Sequence, residues 1–138
     1  MEFLADDVRY EVPVRVTHEG LAGWELAPTS QTFDDIKQTL EVWVRRLETD
    51  FAWAEQPRSR TRHHITDVIV DPAVPPGEYL VSSNCFVCRS PGDEATLSLF
   101  SLFRKDTLRR TGAGWRPARR RAALDQSMVK AHSMSISI

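Results

Sequence analysis

The 138-residue chain has only two cysteines and six glycines, and no apolar run in it approaches the roughly 18 residues of a membrane-spanning helix. Two thiols cannot form a disulfide framework, and a chain of this length buries enough surface to fold without one. The first residues lack the regions of a secretory signal peptide. These absences predict a single domain over residues 1–138, located in the cytoplasm, with both thiols free.

Signatures of nucleotide binding and of nucleophilic catalysis are also missing, since the chain has no glycine-rich phosphate loop and no nucleophile elbow. The 18 basic and 19 acidic side chains nearly balance, but they are unevenly distributed. Residues 1–55 hold 12 acids and 5 bases, a balance of −7, whereas residues 56–138 hold 7 acids and 13 bases, a balance of +6. Such polarity can steer charged partners, although it says nothing about the fold.

The first half of the chain predicts one strand followed by a loop. Residues 8–16 alternate apolar and polar side chains, which indicates a strand. Pro13 removes one ladder donor and therefore favours an edge position for this strand. Residues 17–32 contain Gly20, Gly23 and Pro28 and are interpreted as a loop.

Residues 33–49 predict a helix, with Thr32 as its N-cap. Its charges suit the helix dipole, with Asp34 and Asp35 in the first turn and Arg45 and Arg46 near the end. Apolar residues recur at helical spacing and form one stripe: Ile36, Leu40, Trp43, Val44 and Leu47.

The second half predicts four consecutive strands. Residues 60–71, 78–90, 95–109 and 114–124 are rich in β-branched, aromatic or alternating side chains, and short turns with glycine or proline separate them. Such connections are too short for crossover helices, so the strands should form an antiparallel meander in an α+β fold. One helix about 25 Å long cannot cover the face of this sheet. We therefore expect that upstream helices are missing from this chain or that a partner supplies the cover.

Two pairs of potential metal ligands are expected to fail for geometric reasons. Cys85 and Cys88 form a Cys-x-x-Cys motif, but in a strand positions i and i+3 point to opposite faces. His63 and His64 are adjacent in a strand and also point apart. The chain contains neither the two-histidine, one-carboxylate pattern of mononuclear iron sites nor the paired motifs of a Rieske cluster. We predict no metal, cofactor or catalytic residue in this chain.

The remaining histidines and Asp67 leave one catalytic alternative open. His18 and His132 have no useful spacing to the other histidines, whereas Asp67 could form an acid–base dyad with His63 or His64 inside a cavity. Such a dyad would suit a stand-alone isomerase or dehydratase.

The second half also carries many arginines, and Arg58, Arg60 and Arg62 alternate along one strand and so share a face. Nucleic-acid binding would use such residues, but a pI near 6.4 and the lack of a known reading motif argue against it. Arginine is enriched in protein interfaces, where its guanidinium forms bidentate pairs with carboxylates. A protein interface is the favoured interpretation, with intramolecular pairing across strands as the alternative.

Several motifs, in order and with matching spacing, resemble the β (small) subunit of bacterial aromatic-ring-hydroxylating dioxygenases. The motifs are Asp7-Val8-Arg9-Tyr10, Pro13-Val14-Arg15, Phe33-Asp34-Asp35, Ala52-Trp53-Ala54-Glu55, Ser59-Arg60-Thr61-Arg62-His63, Ser83-Asn84, Arg89-Ser90, Arg104-Lys105-Asp106-Thr107-Leu108-Arg109-Arg110, Gly114-Trp115, Arg119-Arg120, Leu124-Asp125-Gln126 and the tail Met134-Ser135-Ile136-Ser137-Ile138. The resemblance covers nearly the whole chain. Members of this family begin with one or two further helices, and this sequence starts where that region ends.

The resemblance implies a cystatin-like cone, the fold shared with nuclear transport factor and scytalone dehydratase. It also implies an assembly of three α with three β subunits, in which the α subunit holds the Rieske cluster and the mononuclear iron. The β chain would then be structural, with no contact to nucleic acid or membrane. We expect these residues to contribute to its subunit interfaces: Arg60, Arg62, Arg104, Arg109, Arg110 and Trp115.

Overall fold

A computed structural model describes residues 2–15, 26–49, 58–73, 76–90 and 97–126, with the backbone alone for residues 26–31. The described residues form one helix and one six-stranded sheet, which confirms the predicted α+β class. In chain order the elements are β1 Arg9–Arg15, β2 Leu26–Ile36, α1 Lys37–Leu47, β3 Arg60–Pro72, β4 Glu78–Ser90, β5 Ser98–Thr111 and β6 Gly114–Leu124.

The strands lie side by side in the order β2-β1-β6-β5-β4-β3. Strands β3 to β6 form the predicted antiparallel meander, each paired with the next along the chain. β1 pairs antiparallel with β2 and parallel with β6, where Arg9–Glu11 lie beside Arg119–Arg121. The first described strand therefore lies inside the sheet, one position from its β2 edge and next to the last described strand.

Two predictions about the first half of the chain were wrong. Pro13 does not mark an edge strand, because β1 lies between β2 and β6. The parallel ladder with β6 stops at Glu11, and the register with β2 shifts on both sides of Pro13, so the missing donor falls where the pairing is irregular. The predicted loop over residues 17–32 is also wrong for its second part, which belongs to β2, while residues 16–25 lie outside the described residues.

The predicted helix is present, but it begins later than predicted. α1 begins at Lys37, and Asp34 and Asp35 belong to β2, where they pair with Glu11 and Tyr10 of β1. Thr32 therefore does not cap the helix. Instead the Thr39 hydroxyl accepts a hydrogen bond from the Ile36 N–H at 3.0 Å and donates one to the Ile36 carbonyl at 2.9 Å. Arg45 and Arg46 lie in the last turn, as predicted.

The buried core lies on one face of the sheet, which we call the inner face; the opposite one is the outer face. Residues directly opposite each other on antiparallel strands share a face. Leu102 of β5, for example, lies between Cys85 of β4 and Leu124 of β6. The core consists of Tyr10, Val12, Cys85, Val87, Phe100, Leu102, Ala122 and Leu124.

Helix α1 covers one end of the inner face. Its 11 residues span about 16 Å, and it contacts β2. Leu40 packs against the core, whereas Trp43 meets the Phe33 ring edge-on and stays 43% exposed. At the other end of the sheet, every residue of Arg60–Pro72 in β3 is exposed, including Ile65 and Val70. The described elements therefore leave the β3 side uncovered, in agreement with the helix-length argument.

Candidate subunit interface

Arg60 and Arg62 lie on the exposed edge strand β3. Their Cα partners on β4 are Ser90 and Cys88, two positions apart, so both arginines project from the outer face as the alternation predicts. Both are exposed. They lie along the β3 edge of the described sheet, and arginine at such an edge is common in protein interfaces.

Arg104 lies on the inner face instead, in a buried ionic cluster. The Asp106 carboxylate is 5% exposed and accepts two hydrogen bonds from Arg120, at 2.9 and 3.0 Å. Arg104 approaches the same carboxylate at 3.1 Å, and its Nε is buried with no hydrogen-bond partner among the described residues. Burial lowers the pKa of Arg120, but the hydrogen bonds and charge of Asp106 outweigh it and the net shift is upward. Two guanidinium groups thus share one carboxylate inside the fold.

Arg109 holds three parts of the chain together. Its Nε donates to Glu78 at 2.6 Å, and its Nη1 donates to both carboxylate oxygens of Asp7, at 2.7 and 2.9 Å. These hydrogen bonds raise the pKa of Arg109 and lower that of Asp7, and in each case they outweigh the opposing effect of burial. Arg104 and Arg109 therefore pair with carboxylates of the same chain, which is the alternative to an interface role.

The Asp7–Arg109 pair should make a small part of the stability dependent on acid. The folded-state pKa of Asp7 lies below its ordinary value of 3.8, so the contribution is complete above that pH and is lost as the pH falls through the folded-state value. Because the Asp7 side chain is 64% exposed, we expect at most about 1 kcal/mol. Urea unfolding of wild type and Asp7→Asn at pH 7 and stepwise to pH 2 checks this. The two stabilities should converge below pH 3.8, and a constant difference would contradict the assignment.

Arg110 and Trp115 flank the turn between β5 and β6. They are Cα partners, and the turn that joins their strands has Gly114 at φ +106°, a backbone conformation that favours glycine. The Trp115 ring packs edge-on against Tyr79 of β4, with centroids 5.3 Å apart, and is still 47% exposed. Arg110 is exposed. A half-buried aromatic ring beside an exposed arginine is typical of protein interfaces.

The outer face of β4 and β5 carries apolar residues that the sequence prediction did not name among the interface residues. Four large apolar side chains stand there at 39–50% exposure: Leu80, Phe86, Leu99 and Phe103. We call them the outer stripe. The signal is present in the sequence, since β4 and β5 have large apolar residues at both odd and even positions. Strands with two apolar faces pack on both sides, and here the outer side has no cover from the described residues.

The candidate ligand pairs are separated as expected. Cys85 is buried in the core and Cys88, three residues on, takes the opposite face, while burial raises the pKa of the Cys85 thiol. His63 and His64 are adjacent residues of β3 opposite Val87 and Phe86. Among the described residues, no group of three His, Cys, Asp or Glu side chains lies close enough together to hold a metal ion. His18 and His132 lie outside the described residues.

The acid–base dyad suggested for an isomerase or dehydratase is not placed in an enclosed interior. His64 is exposed on the outer face, opposite Phe86, and His63 is exposed on the inner face, opposite Val87. Asp67 forms a bulge in β3 with φ +50°, and its carboxylate accepts hydrogen bonds from Asn84 at 2.7 Å and Thr66 at 3.3 Å. In the part of the chain that the structure describes, the two histidines and Asp67 are exposed to solvent, whereas acid–base catalysis needs a dry cavity.

Some predicted features cannot be placed. The tail 134–138, the Trp53 motif and the turn at Pro91 lie outside the described residues. Within the part of the chain that the structure describes, no helix is long and apolar enough to cross a membrane.

Comparison with known proteins agrees with the resemblance noted in the sequence. Residues 1–131 match the family model described as ring hydroxylating beta subunit. The biphenyl 2,3-dioxygenase subunit beta of Rhodococcus jostii (strain RHA1) is 38% identical over 139 residues, which cover 97% of this chain and 74% of the relative.

Solved structures support the predicted cone fold. A naphthalene 1,2-dioxygenase structure with bound indole superposes with a TM-score of 0.84 at 19% identity, covering 98% of this chain and 72% of that one. A protein of unknown function with a cystatin-like fold from Nostoc punctiforme PCC 73102 gives a TM-score of 0.53 at 19% identity, covering 92% of this chain and 74% of that one. With the family match over nearly its full length, this chain belongs to the beta subunits of ring-hydroxylating dioxygenases.

Proposed function

We propose that this chain is the non-catalytic, structural β subunit of an aromatic-ring-hydroxylating dioxygenase. The observation that carries the proposal is the outer stripe. A sheet that buries a core on one face and exposes several large apolar side chains on the other is suited to packing against other chains. The whole enzyme would add both atoms of dioxygen to an aromatic ring to give a cis-dihydrodiol.

The partners in this proposal are an α subunit and further β chains, three of each, in the cytoplasm. The Rieske iron–sulfur cluster and the mononuclear iron belong to the α subunit. The donor chemistry of this chain supports that division, because Cys85 and Cys88 point to opposite faces and the Cys85 thiol is buried among apolar side chains. We assign interface roles to Arg60, Arg62, Arg110 and Trp115, which are exposed. Arg104 and Arg109 act within the chain through their ion pairs.

Co-expression with a cognate α subunit tests the proposal. We expect the two chains to co-purify as a complex with the mass of six chains, and to convert an arene to a cis-dihydrodiol when a reductase and NAD(P)H are supplied. The chain purified alone should bind no stoichiometric iron and show no turnover. Iron held by its own side chains, or failure to associate with the α chain, would overturn the proposal.

A further inference from the structure

A shallow groove of about 330 Å³ lies on the outer face across β4, β5 and β6, and it ends at β3. Leu80 of the outer stripe lines it, and Lys105 and Arg121 bring positive charge to it. These two cations are direct cross-strand partners on β5 and β6, and like charges placed opposite each other destabilise a sheet. A negative charge between them would therefore stabilise this part of the sheet.

The groove has no such charge from the described residues of its own chain. Glu11 is the β1 neighbour of Arg121, but its carboxylate accepts hydrogen bonds from Arg119 at 2.8 and 3.0 Å. Asp71 lines the β3 end of the groove, two strands away from Lys105, and forms no ion pair with Lys105 or Arg121. The Lys105 ammonium lies 5.8 Å from the centre of the Phe103 ring of the outer stripe. A segment that fits here therefore has a carboxylate beside apolar side chains.

The β3 segment Asp67–Asp71 has this chemistry. Its two carboxylates flank three apolar side chains, Val68, Ile69 and Val70, which are 54–58% exposed. Asp67 accepts hydrogen bonds from uncharged groups, and neither carboxylate has a cationic partner among the described residues. The segment belongs to an edge strand of the described sheet, where exposed apolar residues call for a partner.

The other carboxylates of the described residues form no comparable segment. Glu2 is a single acid beside Phe3, while Asp35, Glu41 and Glu48 lie on β2 or on α1 and its C-cap, where the last helical turn is basic. The remaining seven are in ion pairs within the chain: Asp6, Asp7, Glu11, Asp34, Glu78, Asp106 and Asp125.

The geometry of the segment favours docking by its side chains. The register of β3 with β4 shifts between Thr66 and Ile69, and Asp67 has φ +50°. A bulge of this kind interrupts the ladder and hinders a further strand from pairing along the edge. The segment is at an edge of the sheet and the groove is on a face, so the two surfaces point in different directions. A contact between them in two copies is head-to-tail, and such contacts can close into a ring.

We propose that Asp67–Asp71 of one β chain docks into the groove of the next, with Asp71 between Lys105 and Arg121 and Ile69 on the outer stripe, and that three copies close into a ring. The inference rests on the proposed function, which supplies the number of β chains. It adds which surfaces of those chains meet and the chemistry that holds them together.

Introduced thiols test the contact in the purified complex with the α subunit. The β variant carries Asp71→Cys and Arg121→Cys, with Cys88→Ser to remove the native thiol on the outer face. β3 and β6 are three strand spacings apart, about 14 Å, and a disulfide joins Cα atoms at most about 7 Å apart, so the two thiols cannot join within one chain. After treatment with oxidised glutathione we expect a covalent β trimer on a non-reducing gel. Each single-thiol variant should give monomeric β.

Charge reversal on both surfaces tests whether the partner is a second β chain. Wild-type β and a variant with Asp71→Lys, Lys105→Glu and Arg121→Glu are co-expressed with α, and native mass spectrometry counts the β chains in each complex. Variant chains are complementary to one another but present like charges to wild type on both surfaces. We expect complexes with three wild-type or three variant chains, and mixed complexes on the order of 10-fold below the random proportion.

Arg116→Glu is the matched control, because Arg116 lies on β6 outside the groove, and it should mix with wild type at random. Random mixing of the reversed variant, or a normal complex without the β cross-link, would overturn the inference and leave the proposed function intact. A cross-linked dimer without any trimer would overturn the ring. Loss of the reversed variant from every complex, together with no cross-link, would assign the groove to the α subunit and also overturn the inference. Failure of wild-type β to form any complex would overturn the proposed function.

Discussion

Replacing Phe100 with alanine should lower the free energy of unfolding by about 3–5 kcal/mol. The Phe100 ring is 2% exposed and packs within the inner-face core, opposite Val87. Removing the ring deletes buried apolar surface and leaves a cavity that the rigid sheet cannot close. Urea unfolding followed by tryptophan fluorescence measures the loss.

Phe103→Ala is the control for this change. Phe103 is on the same strand but faces outward and is 39% exposed, so the truncation should cost about 1 kcal/mol in the isolated chain. Equal losses for the two variants would mean that the inner and outer faces have been assigned incorrectly.

Asp106→Asn should have an effect of the same size, also about 3–5 kcal/mol. The substitution removes the charge that Arg104 and Arg120 share, and leaves two largely buried guanidinium groups without compensation. The measurement is again urea unfolding at pH 7. Asp7→Asn, which breaks an exposed pair with Arg109, serves as the comparison and should cost about 1 kcal/mol or less.

A second variant separates charge from packing at Asp106. Arg120→Met combined with Asp106→Asn removes one of the two buried cations that have lost their counter-charge and replaces it with an apolar side chain of similar length. The double variant should recover part of the lost stability. If it is no more stable than Asp106→Asn alone, then the loss reflects packing around Asp106 and not its charge.

The meander could be predicted from the sequence because each of its strands carries its own signal. β3 to β6 have alternating or β-branched residues over 11–14 positions and short turns between them. β2 lacks such a signal, since Leu26–Ile36 is mostly polar and forms a strand by pairing with β1. Asp34 illustrates the difference. Near a helix start it suits the helix dipole, but here it accepts two hydrogen bonds from Arg9 of β1, at 2.8 and 2.6 Å.

The interface residues could be predicted only in part, because local sequence patterns show which face a residue takes but not which distant residue it contacts. Alternation along β3 correctly places Arg60 and Arg62 on one face. Which arginines are satisfied inside the chain depends on contacts between distant segments, such as Arg109 with Asp7, 102 residues apart, and Arg119 with Glu11, 108 residues apart. Local spacing contains no information about such pairs. The residues of the outer stripe were visible in the sequence as apolar positions of β4 and β5, but they were not named among the interface residues.

The parallel pairing of β1 with β6 has a consequence for biosynthesis. Arg9–Glu11 leave the ribosome long before Arg119–Arg121 exist, so one side of β1 in the nascent chain stays unpaired until β6 has been translated. Contacts of such long sequence separation also make folding slow. A ribosome stalled before residue 114 would hold a chain unable to complete its core, and we expect such a nascent chain to be fully sensitive to protease.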